Sequence, residues 1–247
     1  MGSQIAVEAA DFRVVDSNLM RKVFFAFAAM AVLSAAISLA GKWFGHSIAM
    51  GGHTEDASLR EIVIGNNVIQ VPANTIRFER ARHDGVAGRL DLYLRYPEMD
   101  GYSAAARADF NRTGAGRNIV FLSFEDQIMS RGMSDRFAPI YSALIVQPGT
   151  PGPGGTTIYD FTEKSGYLNE TLAVAHRPGG EAPFVARCLS GAGAEQSLAP
   201  CERDLLVGER LSLTYRFPRQ LLADWQALDA AVAAKVARIV KTGAAPQ

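Results

Sequence analysis

The sequence predicts an α+β protein: a single N-terminal transmembrane helix, then a mainly antiparallel β-rich domain, then a C-terminal amphipathic helix. Three observations carry this expectation. Residues 23–41 run for nineteen positions without a charge or a proline. Between 60 and 217, short apolar runs alternate with clusters of glycine, proline and asparagine. After Pro218, apolar residues recur every three or four positions. At 48% hydrophobic and 20% charged over 247 residues, the chain holds enough apolar matter for a core and too much for a disordered polymer. Twenty-five basic residues balance 25 acidic ones, so no global field attracts nucleic acid, and no nucleic-acid partner is expected.

The apolar run reads VFFAFAAMAVLSAAISLAG. As a helix rising about 1.5 Å per residue, it nearly matches a hydrocarbon core of roughly 30 Å, so the lipid bilayer is its expected partner. Arg21 and Lys22 precede it, and Lys42, Trp43 and Phe44 follow, as expected where amines and indole rings meet headgroups. Arg13, Arg21 and Lys22 outweigh the basic residues beyond the span, which places residues 1–22 in the cytoplasm as a tail and the rest in the periplasm. A cleavable signal is the rival reading, because Ser38-Leu39-Ala40 resembles a cleavage site. Against it, the leading segment is 22 residues long and carries Glu8, Asp11 and Asp16. Ala6 stands where a myristoylation motif after Gly2 needs Ser or Thr.

Residues 42–59 are small and polar and read as a linker, residues 60–241 as the extracytoplasmic domain, and 242–247 as a disordered tail. Ile62-Val63-Ile64 and Val68–Val71 flank the turn cluster Gly65-Asn66-Asn67, predicting a hairpin. Ile76 and Phe78 alternate with polar neighbours. After a turn at His83-Asp84-Gly85, Leu90, Leu92, Leu94 and Tyr96 alternate with Arg89, Asp91, Tyr93 and Arg95, the mark of a strand with one wet face. Residues 98–117 predict loop with a short helical piece, and 119–124 a strand covered on both faces. Residues 127–145 have a helical period broken by Gly132 and Pro139. QPGTPGPGG, 147–155, marks either a subdomain break or a loop within one domain. Strands follow at 156–161, 167–175, 184–189, 204–207 and 210–217, the last two joined by a tight turn at Gly208-Glu209. From Pro218 a helix of about 22 residues presents Leu221, Trp225, Leu228, Val232, Val236 and Ile239 on one stripe.

The chemistry-bearing residues are sparse. Cys188 and Cys201, both past the span, are expected to form a structural disulfide that stabilises the fold by roughly 3 kcal/mol. His46, Met50 and His53 lack a carboxylate or thiolate to complete a metal site and read as solvated linker. His83 beside Asp84 reads as a turn residue, and His176 has no identifiable partner. No Gly-x-Ser-x-Gly is present, RTGAGR at 112–117 lacks the Lys-Ser/Thr ending of a phosphate loop, and no acid/base pair of carboxylates stands out. No catalytic residue, cofactor or metal is therefore assigned. Twenty of the 25 basic residues are arginines, and on one strand Arg89 and Arg95 share a face, which makes them candidate contacts for an anionic ligand. The expected function is an accessory or scaffolding component of a bacterial envelope, with an envelope protein as partner. A binding module for a small or anionic envelope ligand is the alternative, and an enzyme of unrecognised type the third reading.

Overall fold

The structure is a computed structural model and describes residues 17–112, 118–127 and 129–242. The tail expectations for 1–16 and 243–247, and most of RTGAGR, lie outside them. The chain divides into two compact units, residues 1–51 and 52–247.

The first unit holds one helix, α1, Ser17–Met50. Within it Asn18–Leu39 is long and apolar enough to cross a membrane. Its large apolar side chains are exposed, Phe24, Phe27 and Leu39 each by more than 60%. The helix runs nine residues past the apolar segment, so 42–50 are helical where an irregular linker is expected. No proline stands in its way, and it stops at Gly51 and Gly52, whose φ angles of +55° and +82° are left-handed.

The second unit is built on strands β1 (Leu59–Ile64), β2 (Asn67–Pro72), β3 (Gly85–Val86) and β4 (Arg89–Arg95), then a short helix α2 (Arg107–Asn111). There follow β5 (Ile119–Asp126), β6 (Thr150–Pro151), β7 (Thr157–Asp160), β8 (Glu170–Ala175) and β9 (Phe184–Leu189). The chain closes with α3 (Gly191–Gln196), β10 (Cys201–Val207), β11 (Leu211–Phe217), α4 (Trp225–Ile239) and β12 (Val240–Thr242). The strands form a four-stranded sheet in the order β12-β2-β1-β3 and an eight-stranded sheet in the order β4-β5-β11-β10-β9-β8-β7-β6. Every neighbouring pair is antiparallel except β1 and β3. The α+β expectation holds.

Alternation decides which face is buried. Leu90, Leu92 and Leu94 on β4, Val120, Leu122 and Phe124 on β5, and Leu211, Leu213, Tyr215 and Phe217 on β11 turn inward together. They meet the β1–β2 hairpin and the C-terminal stripe, whose six expected apolar positions are all buried, Leu221 just before α4 and the other five on it. Pro218 leads into a 3₁₀ turn, Arg219–Asp224, before α4 begins, so the terminal helix is 15 residues long rather than about 22. Where the sequence continues as Val240-Lys241-Thr242, the chain leaves the helix and pairs with β2. β-branched residues at 240 and 242 suit that strand better than another helical turn.

Three local expectations change. Residues 73–78 form a 3₁₀ turn and a single bridge, Ile76 to Leu92, rather than a strand. The 127–145 segment forms turns and one 3₁₀ turn at Tyr141–Ala143 instead of a broken α-helix. It is used to plug the large sheet: β9 and β10 pair at two positions only. Beyond them, the Met133 N–H donates to Asp204 O (3.3 Å) and the Ser134 hydroxyl to Pro183 O (2.5 Å). Met133, Tyr141 and Ile145 then cover Leu172, Val174 and Val185 in a second small core.

The third change is the β10–β11 connection. It is a three-residue loop, Gly208 to Arg210, with φ of +54° at Gly208 and +51° at Arg210. Buried Asn67 holds its middle residue: Nδ2 donates to Glu209 O (2.7 Å), and Oδ1 accepts from Glu209 N (2.8 Å). Asn67→Ala is expected to cost about 2 kcal/mol in urea unfolding, since it removes both hydrogen bonds that tie the loop to a fully buried side chain. A loss within about 0.5 kcal/mol, the range of ordinary surface changes, would contradict that role.

Candidate functional site

The outward face of β4, β5 and β11 carries a cleft of about 310 Å³. The register builds its floor: Asp91 lies opposite Ser123, Tyr93 opposite Phe121, and Phe121 opposite Arg216. Arg77 enters from the side. Its N–H donates to Asp91 O (2.9 Å), and its side chain is exposed on the outward face. The opposite wall is the loop Gln196–Ala199 between α3 and β10. That loop lies inside the ring closed by the disulfide between Cys188 and Cys201, which sit directly across from each other on β9 and β10.

The three arginines of the cleft are not equivalent. Arg89 donates from Nε to both Asp91 oxygens (3.0 Å each), from Nη2 to Ser123 Oγ (2.9 Å), and lies 3.7 Å from Glu125. Hydrogen bonding to Asp91 raises its pKa further above the ordinary arginine value. The Ser123 hydroxyl in turn donates to Asp91. Arg216 is half exposed and meets Glu202 at 3.8 Å, while Glu202 also takes a hydrogen bond from Arg187. Arg77 lies over two rings, 4.9 Å from the centre of Phe121 and 5.1 Å from that of Phe78. Among the described residues its side chain makes no ion pair or hydrogen bond.

A serine next to a carboxylate could start acyl transfer, but both Asp91 oxygens are occupied by Arg89, so Asp91 is a clamp on Ser123 rather than a free base. No hydrogen bond joins His83 or His176 to a carboxylate among the described residues; His83 Nδ1 meets Asp84 O at 3.0 Å. No group of three His, Cys, Asp or Glu among the described residues is placed to hold a metal ion.

No protein-family model and no curated protein matches the chain. Among solved structures, an immunity protein of the Stenotrophomonas maltophilia type IV secretion system is similar, with a TM-score of 0.45 and 17% identity, covering 77% of this chain and 96% of that one.

Of the two arginines singled out in the sequence, only Arg89 reaches the cleft. Arg95 shares its face but stands six residues along β4, about 20 Å away at 3.3 Å per residue. There Asp100 engages it twice (3.2 and 3.1 Å), with Asp109 at 3.6 Å and Glu98 at 3.8 Å. The sequence shows Arg77 only as one of five arginines crowded between 77 and 95, a possible local basic surface, and gives no reason to pick Arg216, because only tertiary folding brings 77, 121 and 216 together. His53 also departs from expectation. Rather than solvated linker, it stacks on Tyr102 at 4.5 Å, between Tyr93 and Phe110, with Nδ1 3.1 Å from the Tyr93 hydroxyl. Burial raises the Tyr93 pKa above the ordinary tyrosine value. The side chains of His46 and Met50 are outside what the structure describes.

Proposed function

We propose that this chain is a single-pass inner-membrane protein, with its amino end cytoplasmic and its β-rich domain periplasmic, that serves a bacterial envelope as an accessory or scaffolding component acting by binding. One observation carries the reading: an apolar helix able to cross a membrane is followed by a domain whose only two cysteines are joined. Disulfides persist in oxidising compartments, and the span supplies a route there. The clamped Ser123–Asp91 pair supports binding over catalysis. The bilayer is one partner; the second is an envelope protein.

The test is crosslinking of the full-length chain in its native membranes, followed by purification in detergent. A defined stoichiometric complex with one envelope protein is the expected result. A chain recovered without a partner that turns over substrate in a hydrolase panel, with activity abolished by one substitution, contradicts the proposal.

A further inference from the structure

We infer that the Arg77 cleft is a binding site for a small soluble monoanion, an aromatic or apolar body bearing one carboxylate. The inference rests on the binding role proposed above and names a ligand class for one surface of it. Arg77 supplies the fork. Two aromatic rings lie within about 5 Å of its guanidinium and take none of its N–H donors, and a carboxylate is the group whose two oxygens match that fork.

The neighbouring charges set the ligand's charge. Arg89 is spent on Asp91 and Glu125, and Arg216 is partly balanced by Glu202, so of the three arginines lining the cleft Arg77 is the one without a carboxylate among the described residues. A single negative charge is thereby neutralised. A second would meet Asp91 in the lining and only arginines already engaged, Arg89 by Asp91 and Glu125 and Arg216 by Glu202, which disfavours a phosphate dianion. Phe121 on the floor and Leu198 on the wall supply an apolar surface for the rest of the molecule, and Ser197 a polar rim. A space of about 310 Å³ holds roughly ten waters, so the body is of the size of one ring with a short arm.

The experiment is calorimetric titration of the full-length protein in detergent with phenylacetate, acetate and inorganic phosphate. Phenylacetate is expected to bind saturably with a Kd of about 1 mM or tighter, and acetate and phosphate about tenfold more weakly. Arg77→Gln removes the charged fork and is expected to weaken phenylacetate binding about tenfold or more. Leu198→Trp fills the cleft without touching a charge and is expected to abolish binding, which separates loss of the site from loss of the charge. Arg95→Gln, on the same strand but outside the cleft, is expected to leave the Kd within about twofold. Absence of saturable binding, equal affinity in Arg77→Gln, or phosphate binding more tightly than phenylacetate each overturns the inference. Because the envelope complex is recovered by crosslinking and not through this ligand, a failed titration beside a recovered complex removes this inference and leaves the function reading intact.

Discussion

Arg203→Ala is expected to destabilise the domain by about 3–5 kcal/mol, because it removes a buried guanidinium with three partners and leaves the largely buried Asp229 carboxylate with one cation fewer. Arg203 is 3% exposed on β10. Its Nε donates to Asp229 on α4 at 3.2 Å, and its Nη1 to Ser134 Oγ at 2.8 Å and to Val185 O at 3.0 Å. Phe184 stacks beneath it at 4.9 Å. One side chain thus ties α4, the plug segment and the place where β9 and β10 part. Asp229 also accepts from the Tyr215 hydroxyl (2.7 Å) and from Arg177. Burial alone would raise the Asp229 pKa, but Arg203, Tyr215 and Arg177 together hold it below the ordinary aspartate value.

The sign of the pH dependence follows. A carboxylate whose folded pKa is depressed adds stability above its unfolded pKa, near 3.9, and that contribution is lost as pH falls through the folded value. The stability gap between wild type and Asp229→Asn is therefore expected to be full at pH 7 and to shrink below about pH 4. Replacing both partners, Arg203→Met with Asp229→Leu, is expected to recover much of the loss, since an apolar pair of similar size avoids the desolvation cost. Urea unfolding followed by tryptophan fluorescence measures all four proteins. A loss below about 1 kcal/mol for Arg203→Ala would remove the network from the account of stability.

The second large effect is expected at the disulfide. Cys188→Ala with Cys201→Ala opens a ring of sequence separation 13, for which chain entropy gives about 3 kcal/mol. The same ring carries the Gln196–Ala199 wall of the cleft. The double variant is therefore expected to lose phenylacetate affinity as well as stability, whereas Arg203→Ala, judged at a denaturant concentration where it is folded, keeps the cleft. Unfolding midpoints with and without a reductant check the first part. No change in midpoint on reduction would contradict it.

What could be read from the sequence was what local periodicity encodes. Strand β9 has the bounds expected, 184–189, because its apolar run is bracketed by Pro183 and Ser190. The α4 stripe was legible because positions three and four apart share a helix face whatever the helix packs against. What depends on distant partners was not legible. The three residues of β12 mean nothing until β2, some 170 positions earlier, offers an edge. His53 looked like linker until Tyr93, Tyr102 and Phe110 closed around it. For Arg89 and Arg95, strand parity identified the shared face correctly. Asp91 is readable beside Arg89 as a balancing charge, but the cluster around Arg95 and the way Arg77 reaches the same face from outside the strand depend on the fold.

The account depends most on where the domain resides. Alkaline phosphatase, active only after export, and a fluorescent protein that matures only in the cytosol, each fused after Gln247 of the full-length chain, report this directly. High phosphatase activity, a dark fluorescent fusion and retention of the chain in alkali-washed membranes are the expected results. A fluorescent fusion with inactive phosphatase, or a chain that washes free of the membrane intact, would contradict the account.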